Sequence, residues 1–187
     1  TSPVCGSRTW WRPHMPHPKT GFLRARNADG TFRVPFDPAA TSIFLKAPSF
    51  LYGGAGLVMS ARDYDRFLHM LQNRGSLYGR RVMKPETVAL AMSNLLPAGV
   101  PFTGVDASTG GTNAPKMGFG AGGSVVLEDM PGGLAKGTYA WGGAAGTLAF
   151  VDPVHQLRGT AMVNYFPADR WPLRADLTRA LAADLAR

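Results

Sequence analysis

The residues most able to do chemistry are few, and their spacing excludes more than it offers. His14 and His17 form a His-x-x-His pair, but no other His, Cys or cluster of carboxylates stands near them, so no metal site is expected. The single Cys5 has no partner and no Cys-x-x-Cys context. It reads as an inert thiol and says nothing of compartment. Thr1 has the chemistry of an N-terminal nucleophile, its own amine serving as base. Its hydrophilic flanks and the lack of a matching fold pattern argue against that role. Gly118-Phe119-Gly120-Ala121-Gly122-Gly123 satisfies Gly-x-Gly-x-x-Gly, yet Ser124-Val125-Val126-Leu127 follows. That is a strand pattern rather than a helix whose N-terminus could hold a phosphate, so a Gly-rich strand is expected. A Gly-x-Ser-x-Gly elbow, a Walker loop and His-Glu-x-x-His are all missing. What remains is Trp141-Gly142-Gly143-Ala144-Ala145-Gly146-Thr147. Two glycines at a strand end either pack under the Trp or admit the close approach of another backbone or acyl group.

Charge and composition narrow the function classes. The net charge of +8 raises the question of nucleic acid, but Arg and Lys are spread along the chain. The densest group, Arg80-Arg81 with Lys84, is short and reads as a solvated basic face, so no nucleic-acid partner is expected. No apolar run approaches the ~18 residues of a membrane span. With 187 residues and 45% apolar content, the chain is expected to fold as one globular unit. Gly (23) and Pro (15) make about a fifth of it, well above the typical ~12%, and predict many turns between short elements.

The elements that must position any site follow from periodicity. Residues 1–50, rich in Pro, Arg and aromatics, predict irregular chain with a turn at Asn27 to Thr31. Residues 51–116 form a helical region. Ser60-Ala61-Arg62-Asp63 is an N-cap with an acid three residues on, and Tyr64, Phe67, Leu68 and Leu71 mark one face of a helix that Gly75 closes. Pro85 and Glu86 open a second helix whose face is Val88, Ala91, Met92 and Leu95. Residues 117–187 predict antiparallel strands at Gly118–Leu127, Thr138–Trp141, Thr147–Asp152 and Leu157–Tyr165, with Asp152-Pro153 turning between the last two. A closing helix follows, opened by Pro172, with Leu173, Leu177, Ala180 and Leu181 on its apolar face. The fold class is α+β, with that helix covering one side of the sheet.

Three stretches resemble the C-terminal half of the β-lactamase-related, penicillin-binding-protein-like serine hydrolases, and most of all the family VIII esterases. The run from Gly53-Gly54-Ala55-Gly56-Leu57 through Ser60 to Phe67 is similar to that family's glycine turn and following helix. Gly79-Arg80-Arg81-Val82-Met83-Lys84-Pro85-Glu86 is similar to its next loop and helix start. Trp141 to Thr147 matches the Trp-Gly-Gly motif that stands in these esterases where the lactamases have Lys-Thr-Gly. The resemblance runs from about residue 50 to the end. It implies that the motif strand lies beside a serine nucleophile, with the backbone N–H of Ala144 donating to the oxyanion of a tetrahedral intermediate. Trp141, Gly142 and Gly143 would line the substrate site, and Tyr52, just before the glycine turn, is a further pocket residue. Trp141 in place of Lys removes a cation and favours neutral esters.

The family's covalent chemistry also needs Ser-x-x-Lys and Tyr-x-Asn, and neither pattern occurs in this sequence. In the family both precede the matched stretch. The expectation is therefore an incomplete domain, the C-terminal portion of the β-lactamase/penicillin-binding-protein-like fold, with three C-terminal antiparallel strands and a closing helix. Its expected function is hydrolysis or transfer of an ester's acyl group, completed by the N-terminal half of the same enzyme. No cofactor or metal is implied, and the expected partner is a small-molecule ester. The rival reading is a non-catalytic binding or structural module of the same fold.

Overall fold

The structure, a computed structural model, describes residues 23–26, 32–37, 40–42, 45–47, 49–50, 59–102, 116–129, 134–144, 146–163, 165–166 and 172–185. Helix α1 spans Ala61–Gln72 and begins where the sequence provides a cap. Ser60 is extended, and its hydroxyl oxygen accepts from the Asp63 N–H at 3.1 Å, satisfying one of the four N–H groups that a helix start leaves unpaired. At the other end Gly75 takes φ +89° and donates its N–H to the Met70 carbonyl at 2.8 Å. A Cβ there would overlap the Met83 carbonyl oxygen, so both conformation and space demand glycine.

Of the expected face of α1, Leu68 and Leu71 are buried with Met70, while Phe67 is 43% exposed and rests on Tyr64. The buried stripe is centred one position away from the expected one, because Met70 joins Val88, Ala149 and Val151 in the core. Each such aliphatic side chain stabilises the fold by ~1.5–3 kcal/mol.

After α1 the chain makes a small hairpin from β3 (Ser76–Leu77) and β4 (Arg80–Arg81), joined by Tyr78 and Gly79. Helix α2 (Pro85–Ala91) follows, with Pro at its start, Glu86 in its first turn and Val88 buried. Leu95 does not extend the face of α2 as expected. The chain leaves the helix at Met92, and the N–H of Leu95 donates instead to the carbonyl of Phe119 at 2.8 Å.

The main sheet is a five-stranded antiparallel meander: β5 (Met117–Phe119), β6 (Ser124–Val126), β7 (Tyr139–Gly142), β8 (Leu148–Asp152) and β9 (Leu157–Ala161). It has five strands where four segments were expected, because Gly118–Leu127 is a hairpin and not one strand. Its turn docks on the end of α2: the Ala121 N–H donates to the Ala91 carbonyl at 2.8 Å, and a Cβ on Gly120 would overlap that same oxygen. Gly120 serves this contact, while a Cβ on Gly118 would overlap Asn94 and one on Gly123 the Tyr139 ring.

The segment expected to run from Leu157 to Tyr165 also divides. Its end, β10 (Tyr165–Phe166), joins a second sheet beside β1 (Leu23–Arg26), which pairs in turn with β2 (Phe32–Asp37). Residues 1–50, expected to be irregular, thus contain two short strands that pair with each other locally and, through β1, with β10 at long range.

Helix α1 packs across β8 and β9. Arg158 of β9 reaches Asp65 of α1 with two bonds, at 2.8 and 3.2 Å, and Gln72 with a third at 2.6 Å. The carboxylate is partly open to solvent, so the pair sets the register of helix on sheet more than it adds stability. The closing helix α3 (Leu173–Leu185) is present as expected. None of its residues is buried, and Leu173 is 39% exposed.

The β8–β9 turn is organised by Asp152, which is fully buried. One carboxylate oxygen accepts the N–H groups of Val154 and His155, and the other meets His155 Nδ1 at 2.8 Å. Burial alone would raise the carboxyl's pKa; the bonds from the His155 ring and the two N–H groups outweigh it and hold the pKa below the usual value. A depressed carboxylate contributes stability that is full above its unfolded pKa, ~3.9, and is lost as pH falls through the folded value. Asp152→Ala should therefore cost about 1–3 kcal/mol at pH 7. In urea titrations the gap between Asp152→Asn and the parent should narrow below about pH 4. A gap of constant size down to pH 2 would show that the charge is irrelevant.

Candidate active site

Strand β7 ends in the motif singled out from sequence. Its hydrogen bonds alternate between two neighbours, and the parity is fixed at both ends. The Thr138 carbonyl accepts from Val126 N–H at 2.9 Å, and the Ala140 carbonyl from Ser124 Oγ at 2.8 Å, so even-numbered positions face β6. Gly143 donates to the Thr147 carbonyl at 2.9 Å and accepts from Gly146 N–H at 3.0 Å, so odd-numbered positions face β8. The β6 ladder stops at the pair Ser124–Ala140, while β7 continues to Gly142. Beyond that pair, Gly142 presents its backbone toward an edge that β6 no longer covers, and Ala144 follows in the turn closed by the bond from Gly146 N–H to the Gly143 carbonyl. No described residue accepts the N–H of Ala144, which lies exposed. An open strand edge of this kind can take a hydrogen bond from a bound molecule.

The side-chain side of both glycines is occupied from within the chain. A Cβ on Gly142 would overlap the guanidinium of Arg174, from the first turn of α3, and one on Gly143 would overlap the Thr147 hydroxyl. Arg174 is half buried, and its desolvation lowers its pKa from the ordinary arginine value.

Trp141 is 38% exposed and carries a row of aromatic rings. Phe119 of β5 meets it edge-on at 5.4 Å, and Phe102 stacks on Phe119 at 5.5 Å. The indole is therefore held in one orientation along the open side of β7. Tyr139, two residues earlier, donates its hydroxyl to the Ala121 carbonyl at 2.5 Å, and burial together with the nearby Tyr64 raises its pKa. It stays neutral and anchors the hairpin turn, so it is not a candidate base.

The structure brings Trp141, Gly142, Gly143 and Ala144 together on one strand end. Tyr52, His14, His17, Cys5 and Thr1 lie outside the described residues. Sequence reasoning missed Arg174, Phe119 and Phe102 as neighbours of the motif. Phe119 carried a weak signal, being the one bulky residue between two glycines. Arg174, one Arg among many in the sequence, carried none. Among the described residues, no three His, Cys, Asp or Glu side chains cluster as metal ligands would.

Comparison with known proteins gives the family and the fold. The family described as Beta-lactamase matches residues 6–183. A Mycobacterium tuberculosis protein, Rv1367c, is 34% identical over 152 residues, covering 73% of this chain and 34% of its own length. The lovastatin esterase of Penicillium rubens is 30% identical over 148 residues, covering 73% of this chain and 35% of the esterase. The chain thus spans about a third of the length of the curated relatives it matches. Among solved structures, a mutant simvastatin synthase from Aspergillus terreus superposes with a TM-score of 0.68 at 26% identity, over 87% of this chain and 42% of that one. EstCE1, a hydrolase with promiscuous acyltransferase activity, gives a TM-score of 0.55 at 25% identity, over 86% of this chain and 39% of that one. With a fold and a sequence match that both extend over most of its length, the chain belongs to the beta-lactamase family, whose hydrolases have esterases and acyltransferases among their neighbours.

Proposed function

We propose that this chain supplies the oxyanion side of a serine-dependent acyl hydrolase or acyltransferase acting on carboxylic esters. The observation that carries the reading is the N–H of Ala144, an exposed residue of the turn that follows β7, with no acceptor among the described residues. A serine Oγ attacks the ester carbonyl, a C–O bond forms, and the carbonyl electrons move onto oxygen. Ala144 N–H donates to that oxyanion, where a fixed donor is worth ~2.7–4 kcal/mol. Collapse expels the alkoxide, which takes a proton, and water or another alcohol then removes the acyl group from the serine. The nucleophile and its base are not in this sequence, which lacks Ser-x-x-Lys and Tyr-x-Asn. In this proposal they come from the N-terminal half of the enzyme.

Trp141, with Gly142 and Gly143 behind it and Tyr52 as a further candidate, forms part of the acyl pocket in this reading. The aromatic row gives a neutral, apolar wall, which suits uncharged esters. The lovastatin esterase and EstCE1, both similar to this chain, are named for ester or acyl chemistry, and that supports the substrate class.

The second reading, a non-catalytic module of the same fold, draws on the missing Ser-x-x-Lys. A fluorophosphonate probe separates the two. The isolated chain should not label, and the complete enzyme should label on one serine outside residues 1–187. A complete protein that never labels would favour the module, and stoichiometric labelling of a serine within this chain would overturn the proposed division of roles.

In the complete enzyme, Trp141→Lys should lower turnover of short neutral esters and improve capture of carboxylate-bearing ones. If the ratio of the two activities does not move, Trp141 does not face the acyl site. Ala144→Pro removes the proposed donor and Ala144→Gly keeps it. The Pro variant should lose on the order of 100- to 1,000-fold in kcat, and the Gly variant far less. Thermal unfolding of the Pro variant within a few degrees of the parent excludes distortion of the strand. Parental kcat in a folded Pro variant removes Ala144 from the mechanism.

A further inference from the structure

The β3–β4 hairpin is built around a residue that its own backbone disfavours. Tyr78 has φ 49° and Gly79 φ 77°, the two left-handed positions of a tight hairpin turn. Gly79 adopts this conformation freely. Tyr78 does so at a steric cost that glycine would not bear. Its side chain does not offset that cost by burial: the ring is 73% exposed and meets only the edge of His69, with centroids 6.1 Å apart. Strain kept for an exposed aromatic points to a use outside the folded chain.

The surroundings say what kind of use. From Asn73 to Pro85 the sequence holds Arg74, Arg80, Arg81 and Lys84 and no carboxylate; Glu86 is the first to follow. All four cations are exposed. Beside them Val82 is 60% and Met83 37% exposed. The support is stiff, since Gly75 accepts the N–H groups of both Val82 and Met83, and Arg81 Nη1 donates to the Arg74 carbonyl at 2.7 Å. The result is a fixed wedge with an aromatic tip, two apolar shoulders and a basic flank.

We propose that this hairpin is a docking surface for an anionic phospholipid bilayer, with Tyr78 at headgroup depth and Arg80 and Lys84 against the lipid charges. Two exposed aliphatic shoulders, Val82 and Met83, beside the cations favour a lipid surface over nucleic acid, whose bases could stack on Tyr78 but would leave these side chains uncovered. An aromatic ring with a polar end sits well at such an interface, and juxtaposed cations add electrostatic attraction that salt screens. The inference is independent of the catalytic reading and needs no activity to test.

The test is co-sedimentation of the complete protein that contains this chain with phosphatidylcholine vesicles, with and without ~30% phosphatidylserine, at low and high salt. Binding should require phosphatidylserine and weaken with salt. Arg80→Glu with Lys84→Glu should weaken it on the order of tenfold or more. Tyr78→Gly is the decisive variant, because it relieves the positive φ and so keeps or raises thermal stability, yet should reduce vesicle binding several-fold. Equal binding to both vesicle types, no binding to either, or parental binding by Tyr78→Gly would each overturn the proposal. So would tighter binding to duplex DNA than to phosphatidylserine vesicles.

Discussion

Val151 has no solvent exposure, and the fold is arranged around keeping it so. It sits on β8 between β7 and β9, and Leu68, Met70 and Leu71 of α1 close over it with Ala149 and Val88. The apolar stripe of α1 thus has a single place to go. Once it is seated, Arg158 finds Asp65 and Gln72 across the interface and fixes the rotation of the helix on the sheet. The nonpolar contact supplies the free energy, and the polar one selects among ways of making it. Asp152 does related work at the far end of β8, holding the turn that lets β9 return beneath α1.

That arrangement also decides where β7 is left open. Strand β6 begins only at Ser124, because the four residues before it form a turn bound to the end of α2. Tyr139 packs against the core cluster and lies over Gly123, where a Cβ would clash with its ring. The turn therefore cannot straighten to extend β6 without displacing Tyr139 or giving up the Ala91–Ala121 bond. Because the pairing stops, position 142 keeps free backbone on that side while 141 and 143 remain committed to β8, and Ala144 lies in the turn that follows. In the proposed function, a donor held next to a paired strand would need little rearrangement to meet developing charge, the property that makes fixed dipoles effective.

The parts of this that were legible in the sequence are the local ones. Ser60 as a cap, Gly75 as a stop, Pro85 as a helix start and Asp152-Pro153 as a turn each act through their immediate neighbours, and each is found where expected. The motif strand and its glycine pair were legible through their resemblance to a family. Long-range features were not. Nothing near Leu95 says that its N–H will serve Phe119 rather than continue a helix. Strands β1 and β2 do alternate apolar and polar residues, but the runs are short and broken by Pro35, and β1 pairs with β10, which lies some 140 residues further on. The run Gly118 to Gly123 read as flexible strand because its glycines answer to Asn94, Ala91 and Tyr139, contacts that are invisible from within the run. Arg174 could not be placed beside Gly142 from sequence, since one Arg in a helix carries no mark of its contact.

Arg174 changes how the glycine pair should be understood. If Gly142 were small only to admit substrate, the space beside it would be empty; it holds a guanidinium, and Thr147 holds the space beside Gly143. The motif is thus a packing solution and an exposed donor at once. A residue larger than glycine at 142 or 143 would first displace the Arg174 guanidinium or the Thr147 hydroxyl, the side-chain atoms it would meet. The Trp141 indole, which Phe119 meets edge-on and Phe102 backs, stands on the same short stretch of backbone as Ala144. In the proposed function, recognition by the ring and donation by the N–H would therefore be coupled.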